Sequence, residues 1–283
     1  MINRRNLLKS SAAALAAAAA SPLSAAADAK IRLGLVTYNW GKSWELPELL
    51  KNCEETGFEG VELRSTHAHK VEPDLNDGQR AAVKRLFSEF PVECVGPGTA
   101  CEYHSADPAV LKKNIEETKA FVRLCHDIGG TGIKVRPNGL PKDVPVEKTL
   151  EQIGKSLNEV AEFASDFGVE IRTEVHGHGT NEIPNMIKIM GHSDHPNSTV
   201  CWNCNPADLD GDGLKANYLA LKDRISTIHI HDLRNDAYPW EEFFALLKET
   251  GFSGWTLVEE GKVPENIPAA MKEVRTRWEE LTA

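Results

Sequence analysis

The sequence predicts a (β/α)8 TIM barrel, an α/β fold, and three observations carry that expectation. Strand-like and helix-like segments alternate eight times between Ile31 and Leu281. No Gly-rich phosphate fingerprint follows the first strand, which disfavours a doubly wound open sheet. Within the strands, apolar residues alternate with ionisable ones at a period of two, as a pleated strand with two different faces requires.

The first strand is Ile31–Tyr38. Leu46, Leu49, Leu50 and Cys53 recur at helical spacing, so Leu46–Thr56 is a helix, stopped at Gly57. Gly60–Arg64 is the second strand and Asp77–Phe90 the second helix. Pro91–Thr99 is the third strand, and the long helix Pro108–Ile128 is closed by Gly129-Gly130. Gly132–Pro137 is the fourth strand, with a helix over Val146–Phe167. The fifth strand is the stretch from Gly168 to His178, followed by a helix at Ile183–Met190. Ser198–Asn203 and Ile225–Asp232 are the sixth and seventh strands, separated by the helical segment Leu214–Lys222. Trp240–Thr250 is the seventh helix, Trp255–Glu259 the eighth strand, and Pro264–Leu281 the closing helix. Residues 28–283 read as one domain.

Parity puts unusual chemistry inside this barrel. The apolar sets (Val61 and Leu63, Ile133 and Val135, Ile228 and Ile230) suit packing against the surrounding helices. The polar sets then point inward: Glu62 and Arg64, Lys134 and Arg136, Arg172, Glu174 and His176, His229 and His231. Barrel interiors are ordinarily filled by branched apolar side chains, and buried charge is costly unless paired or bound to metal. Low on the strands, a salt-bridge lattice is the plain reading, for example Glu62 with Arg64 or Arg136. At the strand ends, Glu174, His229 and Glu259 form a mixed oxygen and nitrogen set suited to a divalent ion.

Three motifs resemble the xylose isomerase-like superfamily, in its sugar phosphate isomerase/epimerase branch. They are Gly168-Val-Glu-Ile-Arg-Thr-Glu174, Ile225-Ser-Thr-Ile-His-Ile-His-Asp232 and Gly251-Phe-Ser-Gly-Trp-Thr-Leu-Val-Glu259. The resemblance runs from Ile31 to about Glu279. It implies one divalent metal ion, with Mn²⁺ first and Mg²⁺, Co²⁺ or Zn²⁺ as alternatives. The ligands it implies are Glu174, Asn203, His229 and Glu259, with Asn203 standing where the family has Asp. Pro206 replaces a family histidine. Glu174 and Glu259 become the catalytic acid and base, with His176 and His231 as substrate-binding residues. Lys134 and Arg136 could bind an anionic part of the substrate, and His69 and Glu102, at the same rim after strands two and three, could line its cleft or hold a second metal.

The activity implied is epimerisation or isomerisation of a sugar or keto-sugar, by proton transfer through a metal-stabilised enediolate. The same groups would serve a lyase or dehydratase that eliminates from a 3-keto-glycoside or inosose. A non-catalytic sugar-binding barrel is a third reading, invited by Asn203. The superfamily's DNA-repair endonucleases are a fourth, opposed by net charge. The partner expected is a small carbohydrate, without nucleic acid, and a homo-oligomer is allowed.

The N-terminus reads as an address. Arg4-Arg5 precede Leu7-Leu8-Lys9, an Ala-dominated run and the small-residue exit Ala25-Ala26-Ala27, resembling a twin-arginine export signal over residues 1–27. Export to the periplasm follows as an expectation, with no membrane span left after cleavage. Loss of Arg4, Arg5 and Lys9 removes three positive charges and takes the net charge from −10 to −13. Such a surface repels phosphate backbones. The six cysteines are scattered, and Cys201-x-x-Cys204 lacks a second pair, so buried thiols are expected.

Overall fold

The computed structural model describes residues 30–283, so the expected export signal lies outside the described residues. Eight parallel strands pair in sequence order and β8 closes onto β1, forming the barrel that strand and helix alternation predicts. The strands are β1 (Ile31–Val36), β2 (Gly60–Arg64), β3 (Glu93–Glu102), β4 (Gly132–Arg136), β5 (Glu170–Glu174), β6 (Ser198–Asn203), β7 (Ile225–Ile230) and β8 (Gly254–Val258). The helices are α1 (Leu46–Thr56), α2 (Asp77–Ser88), α3 (Pro108–Ile128), α4 (Val146–Ser165), α5 (Ile183–Gly191), α6 (Gly213–Leu221), α7 (Trp240–Glu249) and α8 (Ile267–Thr282). Gly57 and Gly129 end α1 and α3 in the left-handed conformation, φ 76° and 86°, which glycine adopts without a Cβ clash. Among the described residues no helix is long and apolar enough to cross a membrane.

Several strands stop earlier than their sequence suggests. β5 ends at Glu174 rather than His178, β7 at Ile230 rather than Asp232, and β8 at Val258 rather than Glu259. Alternation continues past the last ladder hydrogen bond, so periodicity alone overruns the strand. The consequence is functional: His176, His231 and Glu259 sit just beyond the ladders, where the chain turns out over the C-terminal mouth.

The apolar sets face outward as expected. Ile133, Val135, Ile171, Ile228 and Ile230 are fully buried between the strands and the helical ring. Inside the barrel, Val36, Val95, Trp255 and Leu257 form a separate apolar plug. Beside the plug, Arg172 is completely engaged. Its Nε donates to Glu170 (3.0 Å), Nη1 to the Val95 carbonyl (3.0 Å) and Nη2 to the Thr131 hydroxyl (2.9 Å). Gly132 makes this possible, because a Cβ there would lie 2.5 Å from the guanidinium carbon. All six cysteines are buried and free.

Candidate active site

Above the plug, β2, β4, β5, β7 and β8 bring five ionisable side chains together. Glu62, Lys134, Glu174 and His229 are each no more than 2% exposed, and the Glu259 side chain is 12% exposed at the mouth. Lys134 Nζ donates to Glu174 Oε2 at 2.8 Å. Burial works against both charges of that pair. It is outweighed at Lys134 by Glu174, Glu62 and Glu259, so the ammonium is held. At Glu174 it is outweighed by Lys134 and His229, so the carboxyl is held well below the usual range. Burial also opposes ionisation of Glu259, but His229 outweighs it and the pKa is lowered. Both carboxylates are therefore ionised near neutrality.

His229 is the hinge of the group. Its Nε2 lies 3.3 Å from Glu62 Oε2; a carboxylate only accepts, so Nε2 carries the hydrogen. Burial opposes a charge on the ring, but Cys201, Glu259 and Glu62 outweigh it and hold the His229 pKa well above its usual value, so while no metal is bound a hydrogen is also carried by Nδ1. That nitrogen is buried without a hydrogen-bond partner and faces Glu174 Oε1 at 3.5 Å and Glu259 Oε2 at 3.4 Å. A divalent ion placed among these atoms would displace the Nδ1 hydrogen and take the lone pair as a ligand. One ligand atom from each of Glu174, His229 and Glu259 lies within 4.8 Å of the others, a spacing that could hold a metal ion. With that hydrogen released as a proton, three buried carboxylates against one ammonium leave two negative charges for a divalent ion to balance. Glu62 on the far nitrogen supplies the carboxylate that orients a metal-binding imidazole. The salt-bridge lattice expected around Glu62 is thus corrected: its partner is His229, while Arg136 bonds Glu102. Gly98 gives Glu62 its place, since a Cβ there would meet Oε1 at 2.6 Å.

Asn203 adjoins the group differently from a ligand. Its amide nitrogen donates to Glu174 Oε1 at 3.2 Å, and its oxygen faces His231 Nε2 at 2.8 Å. Coordination would need the amide turned over. His231 Nδ1 donates to the Glu259 carbonyl at 2.7 Å, so this imidazole ties Asn203 to the end of β8.

Opposite, His176, Arg136 and Glu102 meet through a residue that parity could not find. Asn138, at φ 62°, donates to Glu102 at 2.5 Å and accepts from His176 Nδ1 at 2.9 Å; Arg136 donates to the same Glu102 oxygen at 2.8 Å. Burial, with help from Arg136 and Lys134, pushes the His176 pKa down despite Glu174. Neutral His176 with its hydrogen on Nδ1 offers the Nε2 lone pair to a hydroxyl. The Asn138-Gly139 pair, a turn signal, was the available clue. Two residues expected at the substrate have partners within the protein. Lys134 lies beneath Glu174 as its counter-ion. His69 spends both nitrogens on the backbone, donating to the Arg64 carbonyl at 2.8 Å and accepting from Val71 N–H at 3.1 Å. It pins the β2–α2 loop.

This geometry has counterparts. The Xylose isomerase-like TIM barrel family model matches residues 50–280. An inosose isomerase of Bacillus velezensis is 22% identical over 133 residues, 47% of each chain; the match spans about half that relative's length. Solved structures share the fold at lower identity. The 3-keto-D-glucoside 4-epimerase YcjR of E. coli superposes with a TM-score of 0.74 at 14% identity, over 89% of this chain and 99% of that one. An L-ribulose 3-epimerase gives 0.76 at 17%, over 89% and 95%. The IOLI protein, with a bound zinc atom, gives 0.75 at 18%, over 89% and 98%. Closed barrel, strand-end carboxylates and a family match over most of the chain agree, and the chain belongs to the xylose isomerase-like TIM barrel family.

Proposed function

We propose that this protein is a divalent-metal-dependent epimerase or isomerase of a sugar or keto-sugar. The observation that carries the reading is the partnerless, buried Nδ1 of His229 between the carboxylates of Glu174 and Glu259. Glu174, His229 and Glu259 would hold the ion, with Asn203 joining once its amide turns. A bound divalent ion would supply Lewis-acid polarisation of the substrate carbonyl.

The chain's own groups move the proton. Carbon acidity next to a carbonyl needs a base on one face and an acid on the other for inversion. Glu259, reaching the mouth, and Glu174, anchored by Lys134, are the two groups suited to those roles. With both carboxylates ionised at rest, the form that turns over is the one in which one of the pair has first taken up a proton from water: the other carboxylate takes the substrate's proton, and the protonated partner returns one from the opposite face. After one turnover their protonation states have exchanged. His176 accepts a hydroxyl hydrogen, and Arg136 with Glu102 and Asn138 fixes its orientation. Relatives named for inosose, ribulose and a 3-keto-glucoside support a polyhydroxylated carbonyl compound as substrate. Periplasmic export remains part of the proposal, resting on Arg4-Arg5 and the Ala-rich run.

The test uses protein reconstituted with Mn²⁺ in D₂O and incubated with ketohexoses and a 3-keto-glucoside. Deuterium at the inverted carbon, lost on adding EDTA, is the expected result. Released aglycone without inversion would instead establish elimination, and no exchange with any metal would sink the reading.

A further inference from the structure

A cleft of about 680 Å³ opens beside the metal-ligating group, over the ends of β6, β7 and β8. None of Glu174, His229 and Glu259 lines it, so the reacting centre lies outside it. His231 does line it, and the same imidazole touches Asn203 and the Glu259 carbonyl. The chamber and the reacting centre are therefore one side chain apart.

We propose that this cleft is a second subsite, which binds a flat apolar ring attached to the reacting sugar, so that the substrate is a glycoside with an aryl aglycone. The inference rests on the sugar-directed reading above and adds the substrate's other half.

Three aromatic residues form the wall, Trp40, Tyr238 and Trp240. Each has its polar atom tied away. Trp40 Nε1 donates to the Lys262 carbonyl at 2.7 Å, and Trp240 Nε1 to the Asp232 carbonyl at 3.1 Å. The Tyr238 hydroxyl donates to buried Asp208 at 2.9 Å. The three rings are 4%, 7% and 3% exposed, so the wall presents only narrow strips of their carbon. Tyr238 and Trp240 lie with ring centroids 4.5 Å apart, and Pro206, Val263 and Pro264 complete an apolar lining. A free monosaccharide, covered in hydroxyls, would leave the apolar part of this lining unused. A flat apolar ring buries well there, against the exposed carbons of Pro206 and Val263 and half-buried Pro264. The charges are at other lining positions, Asp232, Arg234, Glu260 and Lys262, where phenolic hydroxyls on an aglycone would meet them. The volume lies within the range that accommodates small ligands.

Calorimetric titration of the Mn²⁺-loaded full chain with phenyl β-D-glucopyranoside and with methyl β-D-glucopyranoside isolates the ring, because the sugar is identical. The phenyl glucoside should bind at least tenfold tighter. Ala237→Trp, at an exposed lining residue, fills the chamber and should collapse that preference towards parity. Val263→Asp, at a residue 62% exposed, should erode it without touching the core. Equal binding of both glucosides to the unaltered protein overturns the subsite and leaves the sugar reading standing. A phenyl preference that survives both substitutions places the ring elsewhere and also overturns it. Binding of neither glucoside counts against the subsite and the sugar reading together.

Discussion

Arg172 and His229 both point into the barrel, one beside the apolar plug and the other above it. Arg172 has a partner for each of its three nitrogens. His229 has one hydrogen-bonded nitrogen and one buried nitrogen without a hydrogen-bond partner, and Glu62 Oε1 is likewise unmatched. Satisfied charge is architecture, since nothing further is needed to keep it buried. Unsatisfied charge is a vacancy for chemistry, because burying it costs free energy that only a ligand can return. Parity makes the two tiers look alike in sequence; hydrogen-bond accounting separates them.

The largest expected effect strikes the upper tier. Glu259→Gln should lower kcat by about 10³-fold with unchanged circular dichroism; full activity would remove Glu259 from proton transfer. The tiers should then diverge in stability. Arg172→Met strands the Val95 carbonyl and Thr131, and should cost about 3 kcal/mol, or roughly 5–10 °C in Tm. Lys134→Met leaves the buried Glu174 without its ammonium partner, at a similar cost of about 3 kcal/mol. Saturating Mn²⁺ should restore much of that loss in Lys134→Met and none in Arg172→Met. Equal responses to metal in thermal melts would erase the distinction between tiers.

A third effect tests His69 as a structural pin. Burial pushes its pKa from 6.5 down to about 4, so the unfolded chain takes up a proton first as pH falls. Stability is therefore whole above pH 6.5 and drains away towards pH 4, by at most about 3 kcal/mol. Urea titrations should show that slope, flattened in His69→Asn. The smallest effect refines the upper tier: Asn203→Asp adds a carboxylate beside Glu174 and should tighten Mn²⁺ binding about tenfold, read by calorimetry.

Strands announce themselves, and so do the residues they carry. Glu174, His229 and Glu259 were legible because a period of two assigns each residue a face, and strand ends assign each a height. Loops have no period. His69 follows β2 at the rim, yet its ring is turned into the backbone, and nothing in Thr66-His-Ala-His-Lys70 signals which way it turns. Glu102 was placed near the mouth correctly, but its bonds to Arg136 and Asn138 depend on a left-handed residue in another loop. The aromatic chamber was invisible for the same reason. Its walls come from loops after β1, β6, β7 and β8, whose meeting is a property of closure. Glu62 shows the remaining gap: parity gave its direction, but choosing His229 over Arg64 or Arg136 as partner required the cross-barrel distance.

Gly132 carries a consequence for how sequences of this kind can change. The guanidinium of Arg172 occupies the space a methyl group at position 132 would fill. Neither residue can vary by itself: any larger residue at 132 evicts the arginine, and losing the arginine opens a hole that only a larger neighbour closes. Related chains should therefore fall into two lineages, glycine with arginine or a bulkier residue with a smaller one. Intermediates between them should be rare.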